Sequence, residues 1–322
     1  MRRLCSGLML GIGLLAPLTA HAQFKQEQAT GGPRFGEAAR TQKYQIGVII
    51  EAQGGACRGL YATVPAPIEW PEQEIRLVDE EMTPEVKRIR YRMTDDSVKQ
   101  MLVDIPLLPA GAEAKALITL EVIKKPILPP EDTSIYEIPR RVPRDLQKYL
   151  GPSPFIEVRH PDIRDLADEL APRDSDKTAW ETVEAIYDGV RERVEYKNGP
   201  LKGALQALRD GDGDCEELSS LFIAVCRAAD IPARTVWVPG HCYPEFYLVD
   251  DEGDGYWFPC QAAGTRAFGE MPDQRPILQK GDNFRVPEKP REPQRYVAEF
   301  LKGVPFPGSG QPKVQFVRQA LD

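Results

Sequence analysis

Cys215 stands in Gly213-Asp214-Cys215-Glu216-Glu217-Leu218, where the polar loop Arg209-Asp210-Gly211-Asp212-Gly213 gives way to an apolar run ending near Ile231. Asp214, with Glu217 three residues on, predicts an N-cap with a variant capping box, which puts Cys215 in the first turn of a helix. Unpaired backbone N–H groups and the positive end of the helix dipole favour thiolate over thiol at that position. The chemistry this suggests is attack by sulfur at neutral pH. A base must come from elsewhere, and beyond residue 22 the chain offers only His160 and His241. His160 precedes Pro161 ahead of a short helix and reads as a cap or surface residue. His241 opens Gly240-His241-Cys242-Tyr243-Pro244-Glu245-Phe246, 26 residues after Cys215, at the start of a predicted strand. An imidazole on a strand edge facing a helix N-terminus is the arrangement that yields a thiolate–imidazolium pair.

The elements that must position these groups are legible in outline. Cys215, Leu218, Phe222, Val225, Cys226 and Ala229 share one helical face, so the cysteine helix is expected to be the buried central one. Cys226, eleven residues along that face and roughly 16 Å down the axis, belongs to the core. Val183, Ile186, Tyr187, Val190 and Val194 predict a preceding amphipathic helix, with N-cap candidates in Arg173-Asp174-Ser175-Asp176. A shorter helix is expected over Leu201–Leu208. Ala233–Val238, Tyr243–Val249 and Tyr256–Cys260 read as strands, the last two joined by the acidic turn 250–255.

Upstream the character differs. Residues 1–22 carry Arg2 and Arg3, an apolar stretch from Leu8 to Leu18 and the small-residue pattern Ala20-His21-Ala22, so a signal peptide cleaved after Ala22 is expected. The apolar run is shorter than the roughly 18 to 20 residues a permanent span requires. A periplasmic or secreted protein without a membrane anchor in its mature form follows as the expectation. Residues 23–42 read as a disordered linker. Tyr44–Glu51, Cys57–Val64, Val86–Met93, Ser97–Ile105 and Ala116–Ile123 predict the strands of a small β-sandwich over 43–125. Residues 126–175 form a proline-rich connector with a short helix, and 265–322 a C-terminal extension packed on the core.

Residues 176–264 resemble the transglutaminase-like core of the papain-related thiol enzymes. The resemblance is carried by an ordered set: Val194-Glu195-Tyr196 after a helix, Gly213-Asp214-Cys215, Ile231-Pro232-Ala233-Arg234, His241 with Tyr243 and Glu245 on one strand, and Trp257-Phe258-Pro259 on the next. It implies an α+β fold, with the central cysteine helix packed against an antiparallel sheet, preceded here by the all-β sandwich. It also implies a Cys-His-Asp triad for acyl transfer from amides, with Cys215 as nucleophile and His241 as base. Tyr243 stands where the family commonly has Trp, and Gln261 where it has Asp. Gln261 can orient the imidazole through a ring N–H but brings no charge to stabilise an imidazolium. If His241 and residue 261 are cross-strand neighbours, Cys242 and Cys260 face each other on the opposite side of the sheet, and a disulfide between them is expected.

The whole chain narrows the partners. Its formal charge of −8 over 322 residues leaves no basic stripe for a phosphate backbone, which argues against nucleic acid. No cofactor is called for. Cys215, His241, Cys242 and Cys260 as zinc ligands lack C-x-x-C spacing, and the acidic tip 250–254 reads as a solvated hairpin end rather than a calcium site. Glu245 reads as solvent-facing, with orientation of His241 as its alternative role. The expected function is an exported cysteine protease, amidase or acyltransferase acting on a protein or peptide substrate, with a cell-envelope component as a candidate. Competing with it are a catalytically silent module that keeps the fold for binding, and an isopeptide or adhesion domain.

Overall fold

The computed structural model describes residues 31–95 and 97–321; the expected leader and linker residues 23–30 lie outside them. In chain order the first half holds β1 (Arg34–Phe35), β2 (Arg40–Glu51), β3 (Cys57–Ala66), β4 (Gln73–Met82), β5 (Arg88–Thr94), β6 (Val98–Leu108), β7 (Glu113–Lys124) and β8 (Ile127–Leu128). The second half holds α1 (Pro161–Leu170), α2 (Ala179–Arg193), β9 (Glu195–Tyr196), α3 (Ala204–Asp210), β10 (Asp212–Gly213), α4 (Cys215–Ala228), β11 (Ala233–Val238), β12 (His241–Val249), β13 (Gly255–Pro259), β14 (Gln279–Lys280), β15 (Phe300–Pro305) and β16 (Lys313–Leu321). The result is a mixed α+β protein, with an all-β first half and a helix-and-sheet core in the second. Among the described residues no helix is long and apolar enough to cross a membrane.

Two four-stranded antiparallel sheets form the sandwich, in the orders β15-β3-β6-β5 and β16-β2-β7-β4. Alternation drives it: Tyr44, Ile46, Val48 and Ile50 point inward from β2 and meet Ala114, Ala116, Ile118 and Leu120 of β7 and Met101, Val103 and Ile105 of β6. β4 escapes the sequence pattern because it is an edge strand with almost every residue exposed, so burial imposes no period on it. The last two strands correct the expected layout. Residues 265–282 run over the helix-and-sheet core, but 284–297 pack against the sandwich through Val98, Tyr61 and Arg92, and 300–321 pair with β3 and β2. The linker is also more ordered than its composition suggests, since Arg34–Phe35 pairs with Ile127–Leu128 and β2 already starts at Arg40.

In the core, α4 is buried from Glu217 to Arg227 and packs on the sheet β13-β12-β11-β14. Phe222 of α4 meets Phe246 of β12, which stacks on Phe268 and touches Phe258 of β13. α2 starts later than the acidic stretch suggests: Thr178 is the N-cap and forms a reciprocal capping box with Glu181.

Candidate active site

The start of α4 is fixed by its own sequence. Asp214 accepts a hydrogen bond from the Glu216 N–H (2.7 Å), and Glu217 accepts one from the Asp214 N–H (3.1 Å), which is the reciprocal cap expected from the spacing. Glu217 also accepts from the Lys202 N–H (2.9 Å), tying the preceding loop to the helix. Gly213 is required here because a Cβ on it would lie 2.5 Å from the Cβ of Glu217. The Val194-Glu195-Tyr196 segment has its structural role as β9, which pairs in parallel with β10. Its N–H groups hold the loop: Glu195 donates to the Gly211 carbonyl (2.9 Å) and Lys197 to the Gly213 carbonyl (2.8 Å).

His241 begins β12 directly after Gly240, whose φ of +68° is the left-handed turn that glycine permits without strain. On one side of the ring, Gln261 Nε2 lies 3.0 Å from His241 Nε2. Nδ1 is therefore the nitrogen left for sulfur. A half-turn of the Gln261 carboxamide presents Oε1, a buried atom without a partner in the present orientation, to an Nε2–H; that is the orientation a protonated ring requires. The Gln261 backbone is anchored by α2: its carbonyl accepts from Tyr187 Oη (2.8 Å) and from Arg191 (2.9 Å), and its N–H donates to the Ala267 carbonyl (2.8 Å).

Cys215 is thus brought together with His241, and His241 with Gln261. Hydrogen bonding from Cys242 and from the His241 ring lowers the Cys215 pKa to about 4 against the opposing cost of burial. His160 is remote from this site; it caps α1, accepting from the Asp162 N–H (3.2 Å).

Two expectations are corrected. Cys242 and Cys260 are free thiols. Glu245 pairs with Pro259, and the Cys260 N–H donates to the Pro244 carbonyl (3.0 Å), so Cys260 is two residues out of step with Cys242. Gln261 is offset from His241 by the same amount, but its long side chain spans the diagonal that two short cysteines leave open. Nor does Cys242 point away from the nucleophile; it faces α4, with its Sγ 3.8 Å from Ser219 Oγ. The second correction concerns Glu245, which is buried rather than solvent-facing and bonded to Arg234 and Lys280.

The site opens into a cleft of about 390 Å³, lined by Cys215, His241, Cys242 and Trp237 of the core. Its far wall comes from the sandwich and the returning chain: Tyr44 of β2, Arg318 of β16, and Arg295 and Tyr296 between the two units. No local sequence signal could have found these residues, because strand pairing across more than 270 positions brings them there. Glu216 also lines the cleft and pairs with Arg295; burial pushes its carboxyl up to about 7 in spite of that arginine. Among the described residues there is no group of three or more His, Cys, Asp or Glu side chains placed to hold a metal ion.

With this geometry in view, residues 164–262 match the family described as the transglutaminase-like superfamily. This part of the chain is a transglutaminase-like domain. A solved structure described as a candidate cysteine protease from Cytophaga hutchinsonii is 18% identical and covers 88% of this chain and 92% of its own, with a TM-score of 0.52. The shared fold therefore takes in the sandwich as well as the core. The periplasmic domain of TgpA from Pseudomonas aeruginosa, bound to ethylmercury, is 16% identical over 70% of this chain and 90% of its own, with a TM-score of 0.32. No curated protein matches the chain significantly.

Proposed function

We propose that the protein is an exported thiol hydrolase of amide or peptide bonds, with Cys215 as nucleophile, His241 as base and Gln261 as the residue that orients the imidazole. The observation that carries this reading is Cys215, at the capped start of α4, lining one cleft with His241, whose Nε2 has Gln261 at 3.0 Å. In the reaction the thiolate adds to the substrate carbonyl, and the Cys215 N–H, a first-turn donor that the Asp214–Glu217 cap leaves unused, supports the oxyanion. His241 then protonates the departing amine. Water enters through the charged wall of the cleft, gives a proton to His241 and releases the acid. Hydrolysis is favoured over crosslinking, and a protein or peptide of the cell envelope is the substrate class in view. Export rests on Arg2-Arg3, the apolar stretch and Ala20-His21-Ala22.

A specific observation supports a second reading, a catalytically silent module: a neutral Gln261 occupies the place of the family's Asp. Iodoacetamide labelling at pH 6 separates the two. Rapid, stoichiometric modification of Cys215 is expected of the enzyme, and a rate like that of free cysteine would leave only the scaffold. N-terminal sequencing of the periplasmic fraction should begin at Gln23.

A further inference from the structure

Hydrolysis as described leaves one thiol at the site without a chemical task. Cys242 is buried, lines the cleft beside Cys215, and places its Sγ 3.8 Å from Ser219 Oγ, one helical turn beyond the nucleophile on α4. Among the described residues the other three cysteines are elsewhere: Cys226 and Cys260 belong to the core under the sheet, and Cys57 to the interior of the sandwich. Two thiols therefore line the same end of one cleft, Cys215 partly exposed to it and Cys242 buried against the next turn of the same helix.

We infer that Cys242 is a resolving thiol, which closes a reversible disulfide with Cys215 when a hydroperoxide enters the cleft and so shields the nucleophile from irreversible oxidation. The inference rests on the reading of Cys215 as an ionised nucleophile. In the first step the Cys215 thiolate attacks the O–O bond of the peroxide, gaining one oxygen to become a sulfenic acid while the other oxygen leaves as an alkoxide or hydroxide and takes up a proton. In the second step the Cys242 sulfur attacks the sulfenic sulfur, an S–S bond forms, the S–O bond breaks, and the Cys242 proton leaves with the hydroxyl as water. The two thiols together lose two electrons and the peroxide gains them.

The order of events is built into the pair. In the resting site the hydrogen bond to the Cys215 sulfur is the first of the effects that keep the proton on Cys242, with burial and the charge on Cys215 adding to it. Once Cys215 is a neutral sulfenic acid, that hydrogen bond to a thiolate and that charge are gone, so Cys242 becomes easier to ionise only after its partner has been oxidised. Reopening the disulfide takes two electrons and two protons from an external dithiol by thiol–disulfide exchange, the dithiol leaving as its own disulfide; until then Cys215 is held short of the sulfinic acid.

The test treats the purified chain with several equivalents of hydrogen peroxide, traps remaining thiols with N-ethylmaleimide and reads peptide and intact masses. A Cys215–Cys242 cross-link with a loss of about 2 Da is expected, and dithiothreitol should restore iodoacetamide labelling of Cys215. Cys242→Ser should instead carry Cys215 to a gain of about 32 or 48 Da that dithiothreitol does not reverse, whereas Cys226→Ser should behave as the parent does. If Cys242→Ser does not fold, the cross-link in the parent chain decides alone. Fast iodoacetamide labelling combined with over-oxidised Cys215 and a free Cys242 overturns this inference and leaves the hydrolase standing. A Cys215 that neither labels nor oxidises overturns both.

Discussion

One strand, β12, carries charge at its start and at its middle, and the two places behave differently. At its middle, Glu245 accepts from Arg234 Nε (2.8 Å) and Lys280 Nζ (2.6 Å), and Lys280 also donates to Glu72 (2.7 Å). These side chains are at least 90% buried, the Arg234 guanidinium lies 4.0 Å over the Trp257 ring, and the group links the sheet of the core to residues from the sandwich side. Burial pushes the Glu245 carboxyl up, but Lys280 and Arg234 overcome it and hold it below the usual range. At its start, His241 lines the cleft together with Cys215, so this pair is open on one side where Glu245 is enclosed. Charge that is partnered on every side clamps a structure. Charge created by transfer and left open on one side is available to a substrate.

The sharpest way to break this contrast is His241→Ala. Removing the base should lower peptide hydrolysis by roughly 10³-fold while leaving the thermal transition nearly unmoved. The pH profile belongs to the same test. With the Cys215 pKa lowered to about 4, the thiolate is present above that value and lost as pH falls through it, so labelling in the parent should be flat from about pH 5 upward. In His241→Ala the Cys242 contacts, the largest cause of the lowering, remain, so the rate should level off at a higher pH than in the parent but below the thiol's ordinary range near 8.5. Identical profiles in the two proteins would mean that the imidazole does not ionise the sulfur.

At the middle of the strand, Lys280→Met leaves Glu245 and Glu72 buried with one cation fewer, and the expected cost is about 3–5 kcal/mol of folding stability. Urea titration reads this directly. Iodoacetamide labelling of the protein that remains folded should stay within about twofold of the parent. A large loss of labelling without loss of stability would show that the two places on the strand are not independent.

Gln261→Ala comes next, with a smaller effect. The imidazole loses its 3.0 Å partner but keeps its place at the start of β12, so a fall of about 10- to 100-fold in kcat with little change in KM is expected. Gln261→Glu restores a negative charge at the position where the family carries Asp and should raise kcat above that of the alanine variant. An alanine variant as active as the parent would remove Gln261 from the mechanism.

The unequal legibility of the molecule follows from the same physics. The cap at Asp214, the helix behind it and the strand at Ala233–Val238 are readable because each is specified by neighbours within a few residues. The pairing of His241 with Gln261 is readable from motif order, but the register is not. A two-residue offset separates a contact that glutamine can span from one that two cysteines cannot, and alternation alone does not encode it. Cys242 faces α4 in step with the alternation of its strand, on the same face as Phe246, which meets Phe222; alternation alone does not say which face of the sheet α4 covers. Glu245 resembles any strand carboxylate until Lys280 and Glu72, distant in sequence, close over it. Tyr44, Arg295 and Arg318 are invisible as cleft residues because the sandwich has first to be completed by the C-terminal strands.

Glu216 lies between the two kinds of charge and gives the smallest, most discriminating test. Arg295 pairs with it on one side and the cleft lies on the other. Burial pushes its carboxyl up to about 7, above the value near 4.3 for an unfolded chain. The neutral form is therefore the one that folding favours, and its contribution is present at low pH and lost as pH rises from about 4.3 through 7. A carboxamide in its place would be neutral at every pH, so Glu216→Gln should gain stability relative to the parent between pH 5 and pH 8. Discounted for the open side of the cleft, the gain is about 1 kcal/mol, or a few degrees in the thermal midpoint. If the variant instead loses stability at pH 8, Arg295 outweighs burial, and Glu216 belongs with Glu245 among the fixed ion pairs rather than with the titrating groups of the site.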